Sequence, residues 1–132
     1  FNVESEVNSN LRFAIEKINQ DVRGASAVAI PAAAGVPSSS LEMTVGADTI
    51  KYCISSNRLR RHIGATSCGD SSPVVTSDKV NTTVLTFTRL ENINSNFTPA
   101  VTAVSIQTSI TMAYAGSGFQ YSVTKTTTEL LP

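Results

Sequence analysis

The sequence contains few of the residues that usually perform chemistry. It has one histidine and two cysteines among 132 residues, and only 15% of its residues are charged. A catalytic triad of serine, histidine and aspartate would have to be built around His62 alone. Arg60 and Arg61 precede this histidine and would make its imidazole a weaker base. We therefore interpret His62 as an ordinary strand residue and expect that the protein is not an enzyme.

Charge and hydropathy exclude further classes of protein. Ten basic residues balance ten acidic ones, so the overall electrostatic field favours neither nucleic acid nor an acidic membrane. No apolar run approaches the roughly 20 residues that span a bilayer. A chain of this length fits one domain, residues 1–132, with one core. The many serines and threonines are typical of secreted, β-rich proteins.

No spacing of residues indicates a metal or cofactor site, and we expect no cofactor. Cys53 and Cys68 lack the paired cysteine or histidine spacing of a zinc site. Asp70 and Asp78 do not belong to a dense loop of oxygen ligands for calcium. In an oxidising compartment, the two cysteines would form one disulfide worth about 3 kcal/mol. The alternative is two reduced cysteines in a cytosolic protein.

The first clear element is an amphipathic helix over residues 3–25. Its apolar residues follow one another at steps of three and four, which is the helical period. Gly24 is a plausible terminator, and Pro31 forbids helix beyond it. We expect the apolar stripe to pack on a sheet, and its main members are Val7, Leu11, Ile15, Ile18 and Val22.

Other helix residues point away from the stripe. Phe13 is either an ordinary exposed aromatic or a contact with a neighbouring subunit. Arg12 and Glu16 are spaced to pair across one turn. Asp21 and Arg23 are expected to position the helix end through polar contacts; alternatively Asp21, as an exposed acid near a helix C-terminus, has no role. The candidate interface residues are Phe13, Glu16, Gln20, Asp21 and Arg23.

After the small-residue segment 32–35, the hydrophobic period changes to two, which predicts strands. Residues 92–99 are predicted to form a loop. The sequence therefore predicts an α+β fold, in which the helix packs on an antiparallel sheet of four to six strands. The predicted strands fall within residues 41–130 and include 41–45, 50–54, 59–63, 79–90, 104–114 and a last strand containing Phe119, Tyr121 and Val123.

Arg58, Arg60 and Arg61 form the only local basic cluster, and Tyr52 lies near them in the sequence. Such a patch can bind phosphates with a strong salt dependence, which would make the protein a displayed DNA- or ligand-binding module. The other interpretation is an edge strand whose charges prevent unwanted pairing. We favour the second interpretation and keep nucleic-acid binding as the alternative function.

Two segments, the end of the helix and the hairpin of residues 49–61, together are similar to a known family. Residues 18–25 read Ile-Asn-Gln-Asp-Val-Arg-Gly-Ala, and residues 49–54 and 57–61 read Thr-Ile-Lys-Tyr-Cys-Ile and Asn-Arg-Leu-Arg-Arg. The first segment closes a helix with the pattern Asp-Leu/Val-Arg-x-Ala, and the hairpin that follows has the pattern Ile-x-Tyr-x-Ile/Leu and ends in Leu-x-Arg. This combination resembles the minor pilins and pseudopilins of type IV pili and type II secretion, particularly those of the J and W kind. In architecture, the resemblance covers essentially the whole chain.

The resemblance implies a structural subunit that assembles with other minor subunits and with the major pilin at the tip of a filament. It also implies an apolar N-terminal half-helix, processed by a prepilin peptidase, that anchors the precursor in the bacterial inner membrane. The head domain would then lie in the periplasm and later in an extracytoplasmic filament. Residues 1–4 do not reproduce the processed segment, so we expect the chain to be the head domain with its anchor removed.

Overall fold

One helix and seven strands make up the computed structural model, which describes residues 1–132. The predicted α+β class is confirmed, because the helix packs against antiparallel sheets. The elements are α1 (Val3–Arg23), β1 (Ala25–Ile30), β2 (Leu41–Val45), β3 (Asp48–Ser55), β4 (Arg58–Ile63), β5 (Val80–Asn94), β6 (Val101–Tyr114) and β7 (Ser122–Leu130). No helix combines the length and the apolar character needed to cross a membrane.

The strands form two sheets, whereas the sequence predicted one. Sheet A has the order β1-β2-β3-β4 and sheet B the order β5-β6-β7, with antiparallel pairing throughout. The alternation of apolar and polar residues along a strand identifies the buried face of that strand, but it does not identify the strands that pair with it. The division into two sheets was therefore not visible in the pattern.

Local chemistry at both ends sets the length of α1. The side chain of Asn2 caps the first turn by accepting a hydrogen bond from the backbone nitrogen of Ser5 at 3.0 Å. At the other end the backbone N–H of Gly24 bonds to the carbonyl of Asp21 at 3.1 Å. The helix therefore ends at Arg23, two residues earlier than predicted, and β1 begins directly after the cap.

β1 is the strand that the sequence analysis missed. Its buried residues, Ala25 and Val28, are three positions apart, because the pairing with β2 shifts register at two points. Three of its six residues are alanine, so it also lacks the large alternating side chains that usually reveal a strand.

The core lies between α1 and the two sheets. All five members of the predicted stripe on α1 are buried, which confirms that part of the prediction. Strands of both sheets contribute to the same cluster, so one continuous core joins them. The largest fully buried side chains outside α1 are Tyr52, Phe87, Leu41, Met43, Leu59, Ile106, Ile110 and Met112.

The second half differs from the prediction in two places. β5 continues to Asn94, so the predicted loop over residues 92–99 begins inside a strand. Residues 90–103, which we call the finger, form the exposed end of the β5–β6 hairpin.

Phe119 was predicted to lie in the last strand, but it is 51% exposed, because β7 pairs with β6 only from Ser122 onward.

We predict that Ile18→Ala lowers the free energy of unfolding by about 2–5 kcal/mol, because Ile18 is fully buried and truncation leaves a cavity. Gln20→Ala is the matched control on the exposed side of α1 and should change stability by less than about 0.5 kcal/mol. Urea unfolding followed by circular dichroism measures both. Equal effects would contradict the position of α1 on the core.

Candidate docking surface

A buried polar contact joins the end of α1 to sheet A. The Tyr52 hydroxyl donates to Asp21 Oδ2 at 2.5 Å. Arg61 donates from Nε to the same oxygen at 2.8 Å and from Nη2 to Oδ1 at 3.1 Å. We call Asp21, Tyr52 and Arg61 the clamp. Because the Arg61 guanidinium binds the Asp21 carboxylate through two hydrogen bonds, both the distance and the relative orientation of the two groups are fixed.

Secondary structure brings the three residues of the clamp together. Asp21 follows Ile18 by three positions, which places it on the buried side of α1, and it is 6% exposed. Tyr52 and Arg61 are direct cross-strand partners in β3 and β4. Asp21 therefore makes the polar contacts that were predicted to position the helix end, and its carboxylate faces the protein interior and not a neighbouring subunit.

The charges of the clamp complement one another. Burial and the hydrogen bond to Asp21 raise the pKa of the Tyr52 hydroxyl well above its usual value, so it stays protonated and donates. The hydrogen bond to Asp21 also raises the pKa of Arg61. A buried carboxylate is tolerated only with such partners. The clamp is therefore a fixed structural contact at neutral pH.

The predicted basic patch does not form. Arg61 belongs to the clamp, whereas Arg58 and Arg60 lie on the other face of β4. Arg58 donates to the carbonyl of Thr76 at 3.0 Å, and Arg60 donates to the carbonyl of Asp70 at 2.7 Å. Because backbone oxygens and one carboxylate bind these guanidinium groups, the three arginines do not share one exposed surface for phosphate.

Arg60 is one of several groups that hold residues 64–75, which we call the anchored loop. The predicted disulfide between Cys53 and Cys68 is present and ties the loop to β3. Lys51, also on β3, donates to the backbone carbonyls of Ala65 and Thr66 at 3.2 and 3.1 Å. The first half of the loop is thus attached to β3 by one covalent bond and two hydrogen bonds.

Side chains inside the anchored loop complete the attachment. His62 Nδ1 lies 2.9 Å from the hydroxyl of Ser72, and Nε2 lies 2.8 Å from that of Thr66. The carboxylate of Asp70 accepts hydrogen bonds from the hydroxyls of Ser55 and Ser56, and these bonds lower the pKa of Asp70. His62 therefore supports the loop from β4 and is more than a plain strand residue.

The end of the anchored loop also covers the edge of β4. The backbone nitrogen of Arg61 donates to the carbonyl of Pro73 at 3.0 Å, and that of Val75 donates to Leu59 at 2.9 Å. β4 therefore has a backbone partner on this side. Its arginines are not needed to protect a free edge, which was the interpretation that we favoured from the sequence.

A groove of about 440 Å³ lies between the anchored loop and the outward side of α1. Phe13 and Lys17 come from α1, Ile63 from β4, and Pro73 and Val74 from the loop. Phe13 is 57% exposed, Ile63 54% and Val74 38%. Apolar side chains exposed next to one another are typical of an interaction site. We call the surface of these five residues the docking groove; Arg61 and His62 of β4 also line it, and no carboxylate does.

The remaining candidate interface residues lie elsewhere. Arg23 bonds to Glu16 at 3.0 Å and also to Glu129 of β7. The predicted pair of Arg12 and Glu16 is therefore wrong, because Glu16 pairs with Arg23. Gln20 is exposed on α1 but does not line the docking groove. Of the five candidates, only Phe13 lines the docking groove.

Sequence reasoning missed the loop wall of the docking groove. Pro73 and Val74 lie in a segment without hydrophobic periodicity, so no pattern indicated that they face Phe13. The spacing of Cys53 and Cys68 was the available signal, since their disulfide holds the segment that precedes this wall.

Comparisons with protein-family models, curated proteins and solved structures find no match for this chain. No group of three or more histidine, cysteine, aspartate or glutamate side chains is placed to hold a metal ion.

We predict that Arg61→Ala lowers the free energy of unfolding by about 3–5 kcal/mol, because it leaves the Asp21 carboxylate buried without a countercharge. The control is Arg23→Ala, which removes only half-exposed ion pairs and should lower the free energy of unfolding by less than about 1 kcal/mol. Urea denaturation compares them. A loss at Arg61 no larger than the loss at Arg23 would argue against the clamp.

We predict that the double substitution of Cys53 and Cys68 by serine lowers stability by about 3 kcal/mol, because their disulfide closes a 15-residue separation. Limited proteolysis should then cut within residues 64–75 faster than in the wild-type protein. Unchanged cleavage and an unchanged urea midpoint would show that hydrogen bonds alone hold the anchored loop.

Proposed function

We propose that this chain is the head domain of a non-enzymatic filament subunit of the minor pilin or pseudopilin kind. Its role is to assemble with other minor subunits and with the major pilin at the tip of a type IV pilus or a type II secretion pseudopilus. The observation that carries the proposal is the clamp. Asp21, Tyr52 and Arg61 are polar residues of the two segments that resemble this family, and they meet in one buried contact.

This contact gives the resemblance a physical meaning. A filament subunit needs a stiff helix held at a fixed angle to its head, because neighbouring helices must pack in register. α1 has 21 residues and is therefore roughly 30 Å long. The apolar stripe holds α1 along its length, and the clamp fixes its C-terminal end. The residues that the two segments share with the family are thus suited to orienting the helix.

The docking groove supports contact with a neighbouring subunit. It exposes apolar surface on α1 and on the anchored loop, and its loop wall is held by the disulfide and by hydrogen bonds. A wall that is already ordered loses little conformational entropy when a partner binds. A neighbouring subunit that places an apolar side chain in the groove would bury Phe13, Ile63 and Val74.

The proposal includes a location outside the cytoplasm, with an apolar helix upstream of residue 1 that anchors the native precursor in the inner membrane. The disulfide supports an oxidising compartment such as the periplasm, since disulfides persist there and are rare in the cytosol.

Co-purification from the native host tests this function. The tagged full-length protein should retain other minor subunits, and Phe13→Glu or Val74→Glu should reduce their recovery at least tenfold, because each substitution puts a charge into the apolar groove. Ser9→Glu is the matched control, because it adds the same charge at an exposed position of α1 outside the groove.

Two results would contradict the proposal. One is that the wild-type protein recovers no filament subunits. The other is that both groove variants, shown by circular dichroism to be folded, recover them as well as Ser9→Glu does; in that case the docking surface would lie elsewhere.

A further inference from the structure

The finger extends sheet B beyond its neighbouring segments. β7 ends at Leu130, which pairs with Ser105, so β6 residues before 104 have no partner on that side. On the other side, the segment that runs along β5 reaches only Arg89, whose carbonyl accepts from Gly35 at 2.8 Å. Residues 90–103 are all exposed. The finger is therefore a two-stranded projection with water on both faces.

Large apolar side chains occupy both faces of the finger and its tip. Cross-strand partners share a face and consecutive residues alternate between faces. Ile93 pairs with Thr102 and Val101 pairs with Asn94, so Ile93 and Val101 lie on opposite faces, and Phe97 lies in the turn between them. Their exposed fractions are 63% for Ile93, 52% for Val101 and 58% for Phe97. Burying all three requires a partner that surrounds the finger.

Charge and backbone pairing in the finger both suit a medium without water. Residues 92–103 contain no aspartate, glutamate, lysine or arginine. The β5–β6 ladder continues to the pair of Asn94 and Val101, and beyond it the backbone nitrogen of Asn96 donates to Asn94 Oδ1 at 3.0 Å. Lipid hydrocarbon supplies no hydrogen bonds and disfavours charged side chains. The finger pairs its strands internally and brings no charge.

We propose that the finger inserts into the surface of a lipid bilayer. A bilayer encloses a projection on all sides, so it buries Ile93, Phe97 and Val101 together, whereas a flat protein surface covers one face of a hairpin. The uncharged asparagine, serine and threonine side chains of the finger stay at the level of the lipid headgroups, where they keep hydrogen-bonding partners. A hairpin of two strands is marginal in water, so the finger gains order from this contact.

The length of the uncharged part matches shallow insertion. Glu91 is the charged residue nearest to the tip, and it precedes Asn94 by three strand positions, which is roughly 10 Å. Segments that lie at a membrane interface bury their apolar side chains about 5–10 Å deep. The tip can therefore reach the acyl chains while Glu91 remains in water.

The finger projects from the end of the molecule at which α1 ends. Near the start of α1, Asn8 donates to the hydroxyl of Tyr121, which precedes β7, and at its end Arg23 bonds to Glu129 near the end of β7. α1 therefore runs along β7 towards the finger. In the proposed filament subunit, this end is opposite the membrane anchor, so the inference adds a second lipid contact and does not depend on the docking groove.

Flotation of the chain with phosphatidylcholine vesicles tests the inference. A few apolar side chains give marginal binding, as one acyl chain does with a constant near 10⁴ M⁻¹, so the lipid is titrated to about 10 mM. The wild-type chain should float equally at about 0.1 and 1 M NaCl, because no charged group of the finger takes part. Phe97→Asp and Val101→Asp should each lower the partition coefficient at least tenfold.

Phe119→Asp is the matched control. It places the same charge on a similarly exposed phenylalanine at the opposite end of the molecule, beside Phe1, and it should float as the wild type does. The three altered residues are exposed, and circular dichroism checks that each variant is folded.

A single tryptophan gives a second readout, because the chain contains none. With vesicles, the fluorescence maximum of Phe97→Trp should shift to shorter wavelength, and brominated lipids should quench the emission. Phe119→Trp should show neither change.

Three results would overturn the inference. One is a wild-type chain that does not float together with an unshifted Phe97→Trp spectrum. Another is binding to anionic phosphatidylglycerol vesicles alone that is lost at about 1 M NaCl, which would assign it to surface cations. The third is self-association without lipid that Phe97→Asp abolishes, which would assign the finger to a protein contact. Because no finger residue lines the docking groove, each of these leaves the co-purification test standing.

Discussion

The structure depends on one buried carboxylate. Asp21 reaches sheet A from the last turn of α1, and Arg61 and Tyr52 bind both of its oxygens. Apolar packing along α1 is non-directional and permits small rotations of a helix on a sheet. The hydrogen bonds are directional, so they select one orientation among those that the core would accept. The exposed position of Phe13 on α1 follows from that orientation.

β4 connects this contact to the candidate docking surface. Arg61 points to one face of β4 and holds α1, while Arg60 points to the other and holds the anchored loop through the carbonyl of Asp70. The two walls of the docking groove, α1 and the loop, are therefore attached to one strand. Residues that read as a basic patch in the sequence act instead as internal connections between these two walls.

Much of the fold could be predicted from the sequence, because it follows from hydrophobic period. The stripe on α1 and the hairpin of β3 and β4 have clear periods of 3.6 and 2. The rest depends on partners that a local pattern does not contain. The polar role of Asp21 at the helix end was predicted, but its partners were not, because its bond to Arg61 crosses 40 positions. The separation of two sheets, the irregular pairing of β1 and the wall formed by Pro73 and Val74 are likewise set by long-range contacts.

We expect Asp21 and Arg61 to act as one unit, and their coupling energy tests this expectation most directly. A double-mutant cycle with Asp21→Asn and Arg61→Gln, measured by urea unfolding, isolates the energy that the two side chains contribute together. The expected coupling is favourable and at least about 1 kcal/mol, which is within the range for residues in direct contact. A coupling near zero would contradict it, because the two side chains would then stabilise the fold independently and apolar packing alone would orient α1.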